Sequence, residues 1–207
     1  MVLCSDAEMA ALIEAAEQAS SGGDTAPVDA LIARFPEDPR LHFMRGSLLA
    51  GGGRPLEAHG SLARAVELAP DFHLARYQLG FFELTSGEVD EALSTWGPLL
   101  RLPEGAYLRR FVEGLTHLIR DEFGEAIACL RSGIALNREN EPLNNNIRLL
   151  IGQCEALRAG GEAQGGSEKD GREESGRASS RHEEEGGSDL SATSILLGQF
   201  SRTPGKN

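Results

Sequence analysis

The sequence predicts an all-α fold, and three observations carry that prediction. The chain repeats itself every 34 residues, with Gly46, Gly80 and Gly114 in one register and Ala58, Ala92 and Ala126 in another. The segments around and after those alanines recur as SLARAVELAPD, STWGPLLRLPE and CLRSGIALNRE. Hydrophobic residues make up 40% of the chain but aromatics only 5%, a supply of aliphatic and alanine side chains that suits closely packed helices better than aromatic-rich strands.

Each repeat reads as two helices joined by a turn. Apolar residues line the second helices at helical spacing: Leu62, Ala65, Val66 and Leu68, then Leu93, Trp96, Leu99 and Leu100, then Ile127, Leu130 and Ile134. Gly51 to Gly53, Ser86-Gly87 and Asp121-Glu122 stand where the chain must turn. Pro70 and Pro103 follow second-helix ends, where a missing N–H and a fixed φ prevent continuation. Pro98 falls inside a second helix, at a cost of about 3 kcal/mol unless that helix bends or ends, so a bend is expected at Gly97-Pro98. The glycines and alanines of the two registers are expected to meet where the helices cross, because small side chains let the axes approach.

On these markers the chain over about residues 39 to 138 resembles the tetratricopeptide repeat family, whose unit is a 34-residue helix-turn-helix pair. The resemblance implies a right-handed superhelical solenoid with repeats at approximately 39–72, 73–106 and 107–140. The chain departs from the family pattern at His42, Arg76 and Arg110, where a large apolar residue is usual, and at Arg45, Leu79 and Glu113. In the family the first helices make a concave binding face. Carried onto this chain, that face presents an aromatic row of Phe43, Tyr77 and Phe111, flanked by Arg40, Leu74 and Leu108, by Ser47, Phe81 and Leu115, and by Ala50, Leu84 and Leu118. The row is either an open groove for a peptide or internal packing, since ring burial is energetically large. One family subset grips the acidic carboxyl termini of cytosolic heat-shock chaperones with Lys and Asn. Those places hold Phe43, Met44, Ser47, Tyr77, Gln78 and Phe81 here, so that clamp is absent, though Arg76, Arg109 and Arg110 remain candidates to meet an acidic group at the rim.

The flanks follow from composition. Residues 1–38 read as a degenerate helical pair, with amphipathic stretches over 6–20 and 27–35, a cap at Ser5 or Asp6, and stops at Gly22-Gly23 and Phe35-Pro36. Residues 141–158 read as a capping helix whose stripe of Leu143, Ile147, Leu150, Ile151, Cys154 and Leu157 covers the end of the stack. Residues 159–189 are rich in Gly, Glu and Ser and too polar to offset chain entropy, so disorder is expected. Residues 190–207 bring back apolar side chains, Leu190, Ile195, Leu196, Leu197 and Phe200, in a stretch too short for a stable isolated helix. That stretch reads as a docking motif on a tether, seated in the groove of its own chain or of a second copy.

Charge and motifs narrow the function. A net charge of -12, from 32 acidic and 20 basic residues, disfavours the phosphate backbone of nucleic acids and anionic membranes. No apolar run approaches the ~20 residues of a membrane span, and the first twenty residues lack a basic n-region, so a soluble, cytoplasmic protein is expected. Cys4, Cys129 and Cys154 form no CxxC and read as reduced thiols. His42, His59, His73, His117 and His182 form no HExxH, GGGRP lacks the phosphate-cradle ending, and no GxSxG occurs. The acidic runs Asp121-Glu122 and Glu183 to Glu185 sit in a turn and in the polar tail, where nothing desolvates them for acid–base work. No catalytic, cofactor or metal site is expected. The reading is a non-catalytic scaffold or adaptor for a protein or peptide. The alternative is a chaperone resembling the three-repeat secretion chaperones, which hold an unfolded client segment.

Overall fold

The computed structural model of the chain describes residues 3–18 and 23–165. Among them every regular element is helical: α1 (Asp6–Gln18), α2 (Ala26–Arg34), α3 (Pro39–Gly51), α4 (Pro55–Leu68), α5 (His73–Thr85), α6 (Val89–Trp96), a 3-10 turn (Leu99–Arg101), α7 (Tyr107–Ile119), α8 (Phe123–Leu136) and α9 (Glu141–Gly165). They fall into two compact units, Met1–Leu102 and Pro103–Asn207. No helix among the described residues is long and apolar enough to cross a membrane.

The 34-residue register sets where helices begin. α3, α5, α7 and α9 start at Pro39, His73, Tyr107 and Glu141, and α4, α6 and α8 start at Pro55, Val89 and Phe123. The turns obey the same period. Gly53, Gly87 and Asp121 have φ of 71°, 87° and 57°, the left-handed region where a Cβ is penalised. The next residue in each case donates its N–H five residues back: Arg54 to the Leu49 carbonyl and Glu88 to that of Glu83 at 2.9 Å, and Glu122 to that of His117 at 3.0 Å. This closure satisfies a carbonyl that the helix end would otherwise leave without a partner.

Each hairpin closes over an absent side chain. A Cβ on Gly46 would lie 2.7 Å from Leu62 Cγ, one on Gly80 2.4 Å from Trp96 Nε1, and one on Gly114 2.7 Å from Leu130 Cγ. The nearest neighbour of each glycine is thus a large side chain rather than the expected alanine. Ala58, Ala92 and Ala126 lie one turn before those large side chains on the same helical face, and only the Ala126 carbonyl, at 3.1 Å, is among the nearest atoms. The glycine makes room for a Leu or Trp laid across the first helix, and the Trp96 indole completes this by donating to the Tyr77 carbonyl at 3.0 Å.

Pro98 shortens α6 to 8 residues, against 14 in both α4 and α8. Gly97 donates to the Ser94 carbonyl at 3.2 Å and the 3-10 turn follows, so the chain tightens around a proline that has no N–H to give. His42 and Arg76, which stand where large apolar residues were expected, bind the proline ahead of their own helix. His42 Nε2 donates to the Pro36 carbonyl at 2.8 Å, and Arg76 Nη2 to that of Pro70 at 2.9 Å.

In the first unit, Cys4, Leu12, Val28 and Leu41 form a buried cluster with Met9, Leu31, Ile32, Phe35, Met44 and Leu48 packed around it. In the second, Ile147, Leu150, Ile151 and Cys154 of α9 are buried. The α8–α9 connection is fixed by two buried amides: Asn137 Nδ2 donates to Asn144 Oδ1 at 3.0 Å, and Asn144 Nδ2 to the Asn137 carbonyl at 2.9 Å. α9 runs on to Gly165, past the expected end of the cap at 158, because a helix already nucleated extends at little further cost. The polar linker beyond it and the tail motif lie outside the described residues.

Replacing Asp121 by Gly is expected to raise stability by about 0.5–1 kcal/mol, and Gly87→Ala to lower it by about 1 kcal/mol, both read from urea midpoints at constant slope. Gly80→Val is expected to cost about 2–3 kcal/mol through overpacking against Trp96.

Candidate functional site

Arg40, expected at a binding face, is turned inward. Its Nε donates to Asp38 Oδ1 at 3.0 Å and its Nη2 to Asp38 Oδ2 at 2.8 Å. Nη2 also reaches the Cys4 carbonyl, and Nη1 reaches Asp6 Oδ1 at 3.2 Å. Asp38 is fully buried; it takes the Cys4 N–H at 2.9 Å and caps α3 by accepting the Arg40 N–H at 3.0 Å. Burial alone would raise the Asp38 carboxyl, but the Arg40 guanidinium and the two backbone N–H groups outweigh it and hold the group below the usual carboxylate range. Arg40 thus fastens the segment before α1 to the start of α3.

The aromatic row divides. Phe111 is fully buried, because Gly133 of α8 leaves the space: a Cβ there would stand 2.4 Å from two of its ring carbons. Tyr77 is also buried, its ring centroid 6.4 Å from that of Trp96. Leu84, Leu108 and Leu115 are buried as well. These five side chains belong to the cores of their units, which is the packing alternative left open for the row. Arg76, Arg109 and Arg110, considered for an acidic partner, have partners in their own units. Arg76 also reaches the Thr95 carbonyl at 3.4 Å, and Arg109 and Arg110 grip the two oxygens of Glu113, each at 2.8 Å.

What stays accessible is a face of the first unit built on α3 and α5. Phe43 is half-buried against Phe72, centroids 5.1 Å apart at 52°. Phe81 is half-buried and stacked on Tyr77, centroids 6.3 Å apart at 17°. Leu74, also partly exposed, lies one turn before Gln78 and two before Phe81 on the same stripe of α5. The two helices are joined between these rings by Ser47 and Gln78: Ser47 Oγ donates to the Phe43 carbonyl at 3.0 Å and lies 3.4 Å from Gln78 Oε1. The face therefore alternates apolar rings with a small polar bridge. Phe72 was missed from the sequence, although it directly precedes α5; its 34-residue counterparts are Asp38 and Ala106, so the repeat gave no aromatic signal there.

A second concavity lies on the other side of α3. Asp29, His42, Arg45, Glu57, Ser61 and Arg64 line an open cleft of about 510 Å³. Arg45 spans it, donating through Nε to Asp29 Oδ1 and through Nη1 to Ser61 Oγ, each at 2.7 Å. This ties α2, α3 and α4 together. Among the described residues no group of three or more His, Cys, Asp or Glu is placed to hold a metal ion. The three cysteines are free thiols; burial pushes Cys154 up to about 11 and raises Cys4 and Cys129 as well. No protein-family model matches the chain, and no curated protein matches it either.

Asp38→Asn is expected to cost about 2–3 kcal/mol at pH 7, since it strips a charge from buried hydrogen bonds. Because the folded carboxyl sits below its unfolded value of about 3.9, its contribution is present above that pH and lost as pH falls through the folded value. The variant's stability should accordingly vary less below pH 4 than that of the parent, as acid titration by circular dichroism would register. Phe111→Ala should cost about 3–5 kcal/mol and Phe43→Ala only about 1 kcal/mol, a difference that calorimetric melting would resolve.

Proposed function

We propose that the chain is a non-catalytic adaptor of the tetratricopeptide type, which takes an apolar peptide segment of a partner protein on the α3–α5 face. The repeated helix starts and left-handed turns support the repeat assignment. The observation that carries the binding reading is the α3–α5 stripe itself, two half-buried phenylalanines flanking the Ser47–Gln78 bridge. Side chains held in this way lose little entropy on binding, and apolar contacts to Phe43, Leu74 and Phe81 supply affinity. Ser47 and Gln78 supply hydrogen-bonding capacity that discriminates among peptides by leaving a buried polar group without a partner when the match is wrong. The acidic character of the chain, at -12, favours a partner segment that is neutral or basic around its apolar anchors.

Selection of peptides from a random display library on the full chain tests this. Enriched sequences should carry two apolar anchors. Phe43→Ala with Phe81→Ala should weaken their binding by at least about tenfold, the scale of 1.4 kcal/mol. Circular dichroism should show the parent's helical content, and the melting midpoint should fall by no more than the several degrees that about 2 kcal/mol implies. Peptides that bind both proteins equally would refute the assignment of this face.

A further inference from the structure

α9 begins in the register of a first helix, yet no second helix follows it among the described residues. The other hairpins turn at Gly53, Gly87 and Asp121; the same register falls on Glu155, inside α9, and the helix continues to Gly165. One side of α9 is used, with Asn144, Ile147, Leu150, Ile151 and Cys154 buried. The other side carries Leu149, which is 66% exposed. Gly152 follows one turn along, with open space where a Cβ would stand, and Ala156 one turn beyond it is exposed. In the three hairpins α3–α4, α5–α6 and α7–α8 a glycine of the first helix receives a large side chain four residues after an alanine of the second. On α9 that register falls on Arg148; Gly152, one turn further along, is a glycine that nothing among the described residues covers.

The rest of the sequence contains a matching segment. Four alanines in the chain are followed by a large apolar residue at the fourth position and another apolar residue at the eighth. Three of them define the second helices: Ala58-Leu62-Val66, Ala92-Trp96-Leu100 and Ala126-Leu130-Ile134. The fourth is Ala192-Leu196-Phe200, outside the described residues. We propose that residues 189–201 seat on the outer face of α9 of their own chain as a late-arriving second helix, with Leu196 over Gly152, Phe200 beside Leu149 and Ala192 near Ala156.

The connection has the right length. Residues 166–188 are Gly-rich, and 23 such residues reach roughly 25 Å. The way back from Gly165 to Gly152 along α9 is about 20 Å. A segment held at that range sees its site at an effective concentration in the millimolar range. This offsets the cost of ordering a helix too short to persist alone. Gln199 stands where Ala65, Leu99 and Gly133 stand in the other second helices, so the seated helix meets α9 along the single stripe named above.

Hydrogen exchange by mass spectrometry on the full chain tests the proposal, with a synthetic peptide of residues 189–201 as the unstructured reference. Amides of 190–200 in the chain should exchange at least tenfold more slowly than in the peptide. Gly152→Leu, on an exposed and already helical surface, and Leu196→Asp should each return them to the peptide's rate, with the exchange of α3 to α8 unchanged. Exchange at the peptide's rate in the parent chain would overturn the proposal, as would protection that survives Gly152→Leu. Protection that grows with protein concentration alongside a dimer in light scattering would overturn it too, because it would make a second copy the occupant.

Discussion

Where Leu62, Trp96 and Leu130 cross the helix before them, there is no room for a single methyl group, and the remaining architecture depends on that closeness. With the axes held this near, the side chains at the crossing make contact on all sides and exclude water, which is the condition for a small aliphatic core to be stable. The same closeness fixes the turn. A first helix that lies against the second must reverse within a few residues, and the left-handed residue with its five-residue-back hydrogen bond achieves this. In the third hairpin an aspartate holds that turn at φ 57°, showing that the packing dictates the backbone more firmly than the turn residue prefers it.

Polar groups buried in this frame act as fasteners at its ends. Asp38 gathers a helix cap, a strand of backbone from the amino-terminal segment and a guanidinium into one buried carboxylate. Asn137 and Asn144 do the equivalent work between α8 and α9 without charge. Both sites are connections where consecutive helices change direction and backbone groups would otherwise be stranded. Their satisfaction is complete enough that each amide or carboxylate oxygen specifies one path of the chain.

The helical class and the turns were legible because each depends on residues close in sequence: glycine at two of the three positive-φ turn positions of the repeat and the repeat period at the third, proline where a helix must stop, apolar residues at helical spacing. What lay beyond reading was direction and depth. The repeat register places Phe43, Tyr77 and Phe111 alike, but whether a ring sinks depends on what stands opposite: Phe111 over Gly133 and Tyr77 beside Trp96 are buried, while Phe43 against Phe72 stays half-buried. Arg40 looked like a surface cation, since nothing local reveals that Cys4 and Asp6, thirty-odd residues earlier, return to it. Asp38 caps α3 and anchors the amino-terminal segment, and neither role was read from the sequence.

The glycine contact common to the three hairpins joins residues only sixteen positions apart: Gly46 with Leu62, Gly80 with Trp96, Gly114 with Leu130. Little chain must be closed before that contact begins to stabilise, so the entropic toll of forming it is small. A polypeptide assembled from such short-range closures has low contact order, and topology of that kind reaches its native state in microseconds to milliseconds. The innermost contact of each hairpin therefore needs no more distant part of the chain in order to form.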